Sequence, residues 1–215
     1  MLLDCHNDVC NYPAWSTQSD AVARILVTGG TAFCSGALLN NTSQDFKPYF
    51  LSAFHCIDSD EDCALSSSEK EDPIAWTFEF QYKTCAYSVS YSQADFMAAW
   101  FDTDFLSLKL RQTIFDDNLT FLGWDRTSNT SSTGTTIHHP RGTQMKISFD
   151  NDQLVSNSST IEWSRGCKTP APTNTHWTGT LDNGAAEGGS SGAPLFNTTR
   201  RVIGQFHGVV INPKP

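Results

Sequence analysis

Short runs rich in β-branched and aromatic residues recur along the whole chain, and turn-rich breaks separate them. Runs of this kind are typical of β-strands. We predict strands at 24–28, 32–39, 48–53, 74–82, 105–110, 119–122, 144–149, 161–163 and 201–206. One short helix is predicted at 93–100. Because the strands do not alternate with helices in a βαβ spacing, the pattern favours antiparallel barrels or a sandwich.

The chain is long and apolar enough to bury a sizeable core. It has 215 residues, of which 39% are hydrophobic, and these include 14 Phe and 6 Trp. A chain of this size forms one domain or a tightly packed pair of subdomains. No internal repeat or long linker divides it, and the segments 127–136, 167–175 and 182–192 are predicted as loops.

The charge pattern excludes several classes of partner. The formal net charge is -9, with acidic patches at 58–62 and 69–72 and no basic stripe, so neither nucleic acid nor an anionic membrane is an expected partner. No apolar run approaches the roughly 18 residues that span a bilayer. We interpret the acidic patches as solvated loops rather than as calcium sites.

The segment 187–194 reads Glu-Gly-Gly-Ser-Ser-Gly-Ala-Pro, so small residues surround Ser191. Small neighbours leave room around a reactive hydroxyl and leave backbone amides exposed. A serine hydroxyl is a poor nucleophile by itself, so catalysis also needs a base and an orienting carboxylate. Taken alone, a Gly-Ser segment is more simply a flexible turn.

A candidate base and a candidate carboxylate both lie upstream of Ser191. His55 ends the apolar run 49–54, so its imidazole is expected at the end of a strand. Asp104 directly precedes the alternating run 105–110 and is expected at the mouth of another strand. The chain order is therefore His, Asp, Ser. With all three residues present, we favour a catalytic triad over a flexible turn.

Four segments carry a resemblance to a known family. They read Cys-Ser-Gly-Ala-Leu-Leu-Asn-Asn-Thr at 34–42, leading to His55 and Cys56, then Phe-Leu-Gly-Trp-Asp-Arg at 121–126, Ile-His-His-Pro at 137–140 and Gly-Gln-Phe-His-Gly at 204–208. On these motifs the chain resembles the trypsin-like serine proteases and, among them, the lysyl endopeptidase group. The resemblance runs from Cys5 to about Gly208.

This resemblance implies an all-β fold of the chymotrypsin type, which consists of two Greek-key antiparallel β-barrels. Within a single peptidase domain, 1–215, the first barrel would span 1–117 and the second 118–215. The strand that follows His207 and Gly208 in the group has no counterpart before Pro215. We therefore expect the second barrel to be incomplete and the chain to be truncated at its C-terminus.

The resemblance also implies the catalytic residues. His55 and Asp104 from the first barrel and Ser191 from the second would form the triad, with His55 as general base and acid and Asp104 holding its tautomer. The amides of Gly189 and Ser191 would form the oxyanion hole, and Gly192 would permit a close backbone approach beside the nucleophile.

Residues near the predicted triad admit more than one interpretation. His207 and Gly208 fall where the resemblance places a strand that lines the substrate cleft, so we predict that they bind substrate, and simple packing is the alternative for His207. Trp163 either flanks the cleft or, as is commoner for a lone tryptophan, fills the second barrel. Ser190 stands where many trypsin-like zymogens have an aspartate, so activation by an ion pair with a new N-terminus is not expected.

Two adjacent histidines, His138 and His139, raise the question of a metal site. Neighbouring residues of a strand point to opposite faces, so a structural role is favoured over joint metal binding. His6 has equally little support as a ligand. We predict neither a metal nor another cofactor.

The cysteines favour an exported protein, because 7 of them occur in a chain of this size. The resemblance implies the disulfides Cys34–Cys56 and Cys10–Cys85. The remaining cysteines are Cys5, Cys63 and Cys167. Cys63 and Cys167 have no spacing that demands a bond between them, and in the group the partner of Cys5 lies beyond His207 and Gly208. Asn-X-Ser/Thr sites occur at Asn40, Asn41, Asn118, Asn129, Asn157 and Asn197, so the protein is predicted to be a secreted glycoprotein.

The sequence therefore predicts a secreted, monomeric serine endopeptidase that hydrolyses protein or peptide substrates through an acyl-enzyme, with the lysine preference of the group. The missing pocket segment suggests an alternative, a catalytically impaired protease homologue that acts as a binding module or has no independent function. A glycan-binding β-sandwich would need aromatic platforms, and it does not account for the order His, Asp, Ser.

Overall fold

The computed structural model describes residues 5–127, 129–163 and 169–209, and most of their regular structure is β-strand. The strands are β1 (Asn7–Asp8), β2 (Val22–Leu26), β3 (Ala32–Leu39), β4 (Tyr49–Ala53), β5 (Thr77–Phe80), β6 (Val89–Ser92), β7 (Ala94–Trp100), β8 (Phe105–Leu110), β9 (Gly134–His138), β10 (Lys146–Asp150), β11 (Val155–Ser156), β12 (Trp177–Thr178), β13 (Pro194–Phe196) and β14 (Val202–Gln205). The α-helices are α1 (Ser16–Ser19) and α2 (Ser67–Glu71). Short 3-10 helices lie at Val9–Asn11, Pro13–Trp15, Phe54–Cys56, Asp72–Ala75, Phe101–Thr103 and Pro140–Gly142.

The first sheet is antiparallel and seven-stranded, in the order β6-β5-β2-β3-β4-β8-β7. The alternation predicted for 105–110 is present in β8, where every second residue is buried. Phe50 lies in the core of this sheet, with its ring centroid 4.9 Å from that of Phe78 and 6.0 Å from that of Phe80. These edge-to-face contacts stabilise the core beyond simple burial of area.

The second sheet is antiparallel and five-stranded, in the order β1-β10-β9-β13-β14. Its central strand β9 has all of its residues buried, and β11 and β12 form a separate two-stranded ladder. The all-β class predicted from the sequence is confirmed. Because β1 pairs with β10, residues 7–8 belong to the second sheet, whereas the predicted first barrel includes them. The barrel boundary near residue 117 otherwise stays a prediction.

The helix predicted at 93–100 is wrong, because these residues form the edge strand β7. β7 pairs with β8 from Ala94 opposite Leu110 to Trp100 opposite Phe105. A register shift between Phe96 and Ala98 interrupts the pairing. A bulge of this kind removes the strict alternation of faces by which a strand is recognised in a sequence.

The structure contains both disulfides that the resemblance implies. Cys10–Cys85 joins the N-terminal segment to the loop between β5 and β6, and Cys34–Cys56 joins β3 to the turn that holds His55. Cys63 is also disulfide-bonded, whereas Cys5 is exposed and free. Cys167 lies outside the described residues.

Among the residues that the structure describes, no helix is both long and apolar enough to cross a lipid bilayer.

Gly36 in β3 provides a test of the core packing. A Cβ atom on this residue would overlap the Phe50 ring and the carbonyl oxygen of Leu51. We expect Gly36→Ala to lower the free energy of unfolding by about 3 kcal/mol, since a close-packed core has no room for an added methyl group. The matched control is Gly204→Ala, whose Cβ would come no closer than 3.8 Å to a neighbour. Urea denaturation measures both, and equal stabilities of the two variants would contradict this packing.

Candidate active site

His55 follows β4 directly and lies in the 3-10 turn Phe54–Cys56, which the disulfide to Cys34 fixes to β3. Its Nδ1 atom is 2.9 Å from Oδ2 and 3.0 Å from Oδ1 of Asp104. Its backbone N–H donates to Oδ1 of the same carboxylate at 2.9 Å. Asp104 therefore fixes both the imidazole and the main chain of His55.

Asp104 occupies the turn before β8 and is 1% exposed. Its φ of 53° is in the left-handed region, which Asp and Asn tolerate better than most residues. Its carbonyl oxygen accepts hydrogen bonds from the amide of Phe54 at 2.8 Å and from Nε2 of Gln205 at 2.9 Å. The turn is thus held by groups from the ends of β4 and β14.

The pKa of His55 is raised above its ordinary value. Burial alone would lower this pKa, but the hydrogen bond and charge of Asp104, helped by the charges of Asp58 and Glu61, outweigh it. An imidazole in this setting accepts a proton readily, and the carboxylate stabilises the imidazolium that forms. These are the electrostatic properties of a general base in acyl transfer.

The loop that carries Ser191 is held against β3. The Ser35 amide donates to the Ser191 carbonyl at 2.7 Å, and the Ser35 hydroxyl donates to the Gly189 carbonyl at 2.7 Å. Gly192 has a φ of +80°, and a Cβ there would overlap Ser52 Oγ and the Ser35 carbonyl. Only glycine fits this position, because the backbone conformation and the lack of space both exclude a side chain.

Two amides of this loop are available for a ligand. Ser190 N donates to the Glu187 carbonyl at 3.0 Å, and the N–H of Gly192 donates to the Phe206 carbonyl at 2.8 Å. Within the described residues, the N–H groups of Gly189 and Ser191 donate to no protein atom. Unpaired amides on either side of a serine are the donors that stabilise an oxyanion.

The structure does not complete the triad by hydrogen bonding. The side-chain hydrogen bonds of His55 run to Asp104, and within the described residues none joins the Ser191 hydroxyl to an imidazole. Hydrogen bonds between a nucleophile and its base are often long before substrate binds. Ser191 lies one residue from Gly192, where a Cβ would also approach the amide of Ala53, two residues before His55.

His138 anchors Ser190, the residue before the predicted nucleophile Ser191, through a contact that no sequence motif indicates. His138 is fully buried, with Nδ1 2.7 Å from Ser190 Oγ and Nε2 3.1 Å from Ser148 Oγ. Because Ser148 donates to the Ala185 carbonyl, it accepts from His138 Nε2–H, and Ser190 then donates to the bare Nδ1. Burial, with smaller contributions from His6 and His139, lowers the pKa of His138 to about 3. A neutral histidine thus holds Ser190.

Glu187, at the start of the same loop, joins it to two distant segments. Its Oε2 atom is 2.8 Å from His6 Nε2, and its Oε1 accepts from Arg141 Nε at 2.8 Å. His6, for which no role is predicted from the sequence, therefore helps to hold this loop. The partners are 181 and 46 residues away in the chain, so no local pattern could indicate these contacts.

His207 stacks between His55 and Trp163. Its ring centroid is 5.5 Å from that of His55, with an interplanar angle of 19°, and 3.7 Å from the ring of Trp163, with an angle of 26°. A Cβ on Gly208 would lie 2.9 Å from Trp163 Cζ3, so Gly208 lets the indole approach the main chain. Trp163 therefore flanks the site rather than only filling the second barrel.

The pKa of His207 is lowered to about 4. Burial is the main cause, and the charges of His55 and His176 lower the pKa further, whereas the charge of Asp104 acts in the opposite direction.

Four groups of side chains in the described residues have donor atoms close enough to share a metal ion. They are Cys34, His55 and Cys56; His55, Asp104 and His207; Asp58, Asp60 and Glu69; and Asp150, Asp152 and Asp182. The cysteines of the first group form a disulfide, and the second group belongs to the site above. In the third group, Asp58 accepts hydrogen bonds from the backbone amides of Asp62 and Cys63. Glu69 accepts a hydrogen bond from the amide of Ser59 and also caps α2. These carboxylates serve as turn and cap residues.

Comparisons with known proteins agree with this geometry. A family model described as lysyl endopeptidase, C-terminal domain, matches residues 3–210. The lysyl endopeptidase of Pseudomonas aeruginosa is 30% identical over 198 residues, which cover 85% of this chain and 38% of that protein. The chain thus spans well under half the length of this relative.

Solved structures share the fold at low sequence identity. The Rv3671c protease from M. tuberculosis in its active form has a TM-score of 0.57 at 13% identity, covering 98% of this chain and 80% of that one. The MamO protease domain from Magnetospirillum magneticum has a TM-score of 0.56 at 16% identity, covering 89% and 85%. The predicted double-barrel fold of the chymotrypsin type is confirmed, so the molecule is a domain with a trypsin-like serine protease fold. It belongs to the lysyl endopeptidase C-terminal domain family.

Replacing Asp104 tests the electrostatics of the site. We expect Asp104→Asn to lower the pKa of His55 below its ordinary value, because burial remains and the negative charge is gone. Asn keeps the size of the side chain and tolerates the left-handed backbone. The matched control is Asp102→Asn, since Asp102 is not a hydrogen-bond partner of His55. NMR titration of the histidine ring signals measures both variants, and an unchanged His55 titration in Asp104→Asn would refute the assigned cause.

Proposed function

We propose that this domain is a secreted serine endopeptidase that cleaves peptide bonds through an acyl-enzyme. The observation that carries the proposal is the pair formed by His55 and the buried carboxylate of Asp104, which accepts hydrogen bonds from the backbone N–H and from Nδ1 of His55. The glycine-rich loop with Ser191 lies next to this pair. Membership of a family named for lysyl endopeptidase supports it. A flexible Gly-Ser turn does not explain the hydrogen bonds that hold this loop to Ser35 and His138.

In the proposed reaction, Ser191 Oγ attacks the peptide carbonyl while His55 Nε2 accepts its proton. His55 then returns this proton to the leaving amine, and water repeats the sequence to release the acyl group. Asp104 keeps the proton of the neutral imidazole on Nδ1, so that Nε2 presents its lone pair.

The amides of Gly189 and Ser191 would bind the oxyanion of the tetrahedral intermediate. One such donor contributes about 2.7 to 4 kcal/mol of transition-state stabilisation in comparable sites. Two features support this role. Both amides are unpaired within the described residues, and Gly189 has a φ of +95°, at a position where a Cβ would lie 2.8 Å from the His139 carbonyl. A glycine is therefore needed to give the amide its direction.

The loop needs no ion pair with a new N-terminus to hold its shape. Ser190, at the position before the nucleophile, is bound to neutral His138 instead of to an ammonium group. The amide of Glu187 donates to the same serine hydroxyl at 3.2 Å. We therefore propose that the oxyanion loop is set by folding itself rather than by a later charge pairing.

We propose that the substrates are proteins or peptides and that the lysine preference in the name of the family extends to this domain. His207 and Gly208 lie beside His55 and Trp163, so the chain that follows Gln205 is a suitable edge for a bound peptide. Secretion is part of the proposal, because disulfides persist in oxidising compartments. Action as a monomer without metal or cofactor is the simplest form of this function.

Labelling with a fluorophosphonate tests the nucleophile directly. We expect the folded domain to be labelled, and Ser191→Ala to lose labelling and to lower peptidase activity by about a million-fold, as when a serine protease loses its nucleophile. Ser68→Ala, at an exposed serine of α2, is the control and should behave as wild type.

Two outcomes limit the proposal. A folded wild-type domain that takes no label would instead support the catalytically impaired homologue. Labelling with equal cleavage of lysyl, arginyl and leucyl peptides would leave the chemistry intact and remove the lysine preference.

A further inference from the structure

His176 is a partly buried histidine in contact with His207. No sequence motif indicates a role for it. It lies directly before β12, and its Nε2 atom is 2.9 Å from Nδ1 of His207. Its own Nδ1 atom is 2.8 Å from Thr175 Oγ1. Burial lowers the pKa of His176, so the ring is neutral and carries a single N–H.

The neighbouring groups determine where that proton lies. Thr175 Oγ1 is 2.6 Å from the Pro172 carbonyl, which can only accept, so the hydroxyl proton points to Pro172. Thr175 Oγ1 must then accept from Nδ1–H of His176. This leaves Nε2 of His176 as an acceptor, and the proton between the two rings belongs to Nδ1 of His207.

A buried side chain holds the segment that presents His176. Asn157 is 5% exposed, and its Oδ1 accepts the amides of Thr175 at 3.0 Å and His176 at 2.9 Å. Its Nδ2 donates to the carbonyls of Pro172 at 2.7 Å and Ser159 at 2.9 Å. Every hydrogen-bonding group of this amide is used, so the Asn157 sequon is not accessible to a glycan in the folded protein.

A second acceptor competes for the Nδ1 proton of His207. Oδ2 of Asp104 lies 3.8 Å from this atom, against 2.9 Å for Nε2 of His176. The same carboxylate already accepts from Nδ1 and from the amide of His55. The ionisable groups that act on His207 are Asp104, His55 and His176.

We propose that His176 is a positioning residue for the catalytic pair, because by accepting the Nδ1 proton of His207 it keeps that ring parallel to His55 and leaves Asp104 to His55. It touches no reacting atom and acts through His207. The inference rests on the proposed function only where it concerns rate, since the hydrogen-bond arrangement itself can be measured without catalysis.

Nitrogen NMR of histidine-labelled wild-type protein tests the arrangement. We expect both His176 and His207 to carry their proton on Nδ1, with Nε2 bare. A His207 ring protonated on Nε2 would overturn the proposal, whatever the activity of the domain.

Two variants at position 176 test the effect on His55. In His176→Leu the acceptor is lost, and His207 is expected to donate to Asp104 instead. The pKa of His55 then falls, so the acid limb of the pH profile, where the labelling rate falls as His55 is protonated, moves to lower pH. The labelling rate should fall about tenfold, equivalent to about 1.4 kcal/mol. His176→Gln retains a side-chain acceptor and should restore the limb and most of the rate.

The outcomes separate this inference from the proposed function. If wild type takes no label, the function fails and the two NMR measurements, of tautomers and of the His55 titration, decide the inference alone. If wild type is labelled and His176→Leu matches it in rate, in acid limb and in the His55 titration, the inference is wrong. Equal losses in the Leu and Gln variants without a pH shift would indicate a merely structural role and would also overturn it.

Discussion

The buried charge of Asp104 is the constraint on which the arrangement of the site depends. A carboxylate removed from water is stable only when its oxygens receive hydrogen bonds, and here the amide and Nδ1 of His55 supply them. The carbonyl of the same residue binds the amide of Phe54 and the side chain of Gln205. The ends of β4, β8 and β14 therefore meet at Asp104. The orientation of His55 follows because the buried carboxylate of Asp104 must receive hydrogen bonds.

His55 and His138 show how the surroundings decide the charge of one side-chain type. Burial disfavours the imidazolium form in both, although His138 is fully buried and the His55 side chain is 29% exposed. His55 has a carboxylate against it and its pKa is raised, whereas His138 has only two hydroxyls and its pKa falls to about 3. His138 therefore stays neutral across the range in which His55 titrates. Protonation of His55 therefore leaves the contact between His138 and Ser190 in place.

The sequence could predict the parts of the site that lie at the ends of strongly patterned strands. His55 and Asp104 each adjoin an apolar run, and the small residues around Ser191 indicate a nucleophile once these two partners are identified. The contact between His138 and Ser190 joins residues 52 positions apart and leaves no local signal. The edge strand β7 could not be predicted from the sequence either, because a register shift between Phe96 and Ala98 breaks the alternation of its faces. Pairing with β8 decides its conformation, and pairing is not a local property.

The three neighbouring imidazoles of His55, His207 and His176 pose the question of where a proton would reside. Burial lowers the pKa of His207 and His176, and the positive charge of any one ring disfavours a second. Only His55 has Asp104 at hydrogen-bond distance, 2.9 Å from Nδ1, while the same carboxylate is 3.8 Å from His207. This difference of distance confines the positive charge to the ring of His55. The pKa of His207 is lowered to about 4 and that of His176 is also lowered, so neither neighbouring ring competes with His55 for a proton.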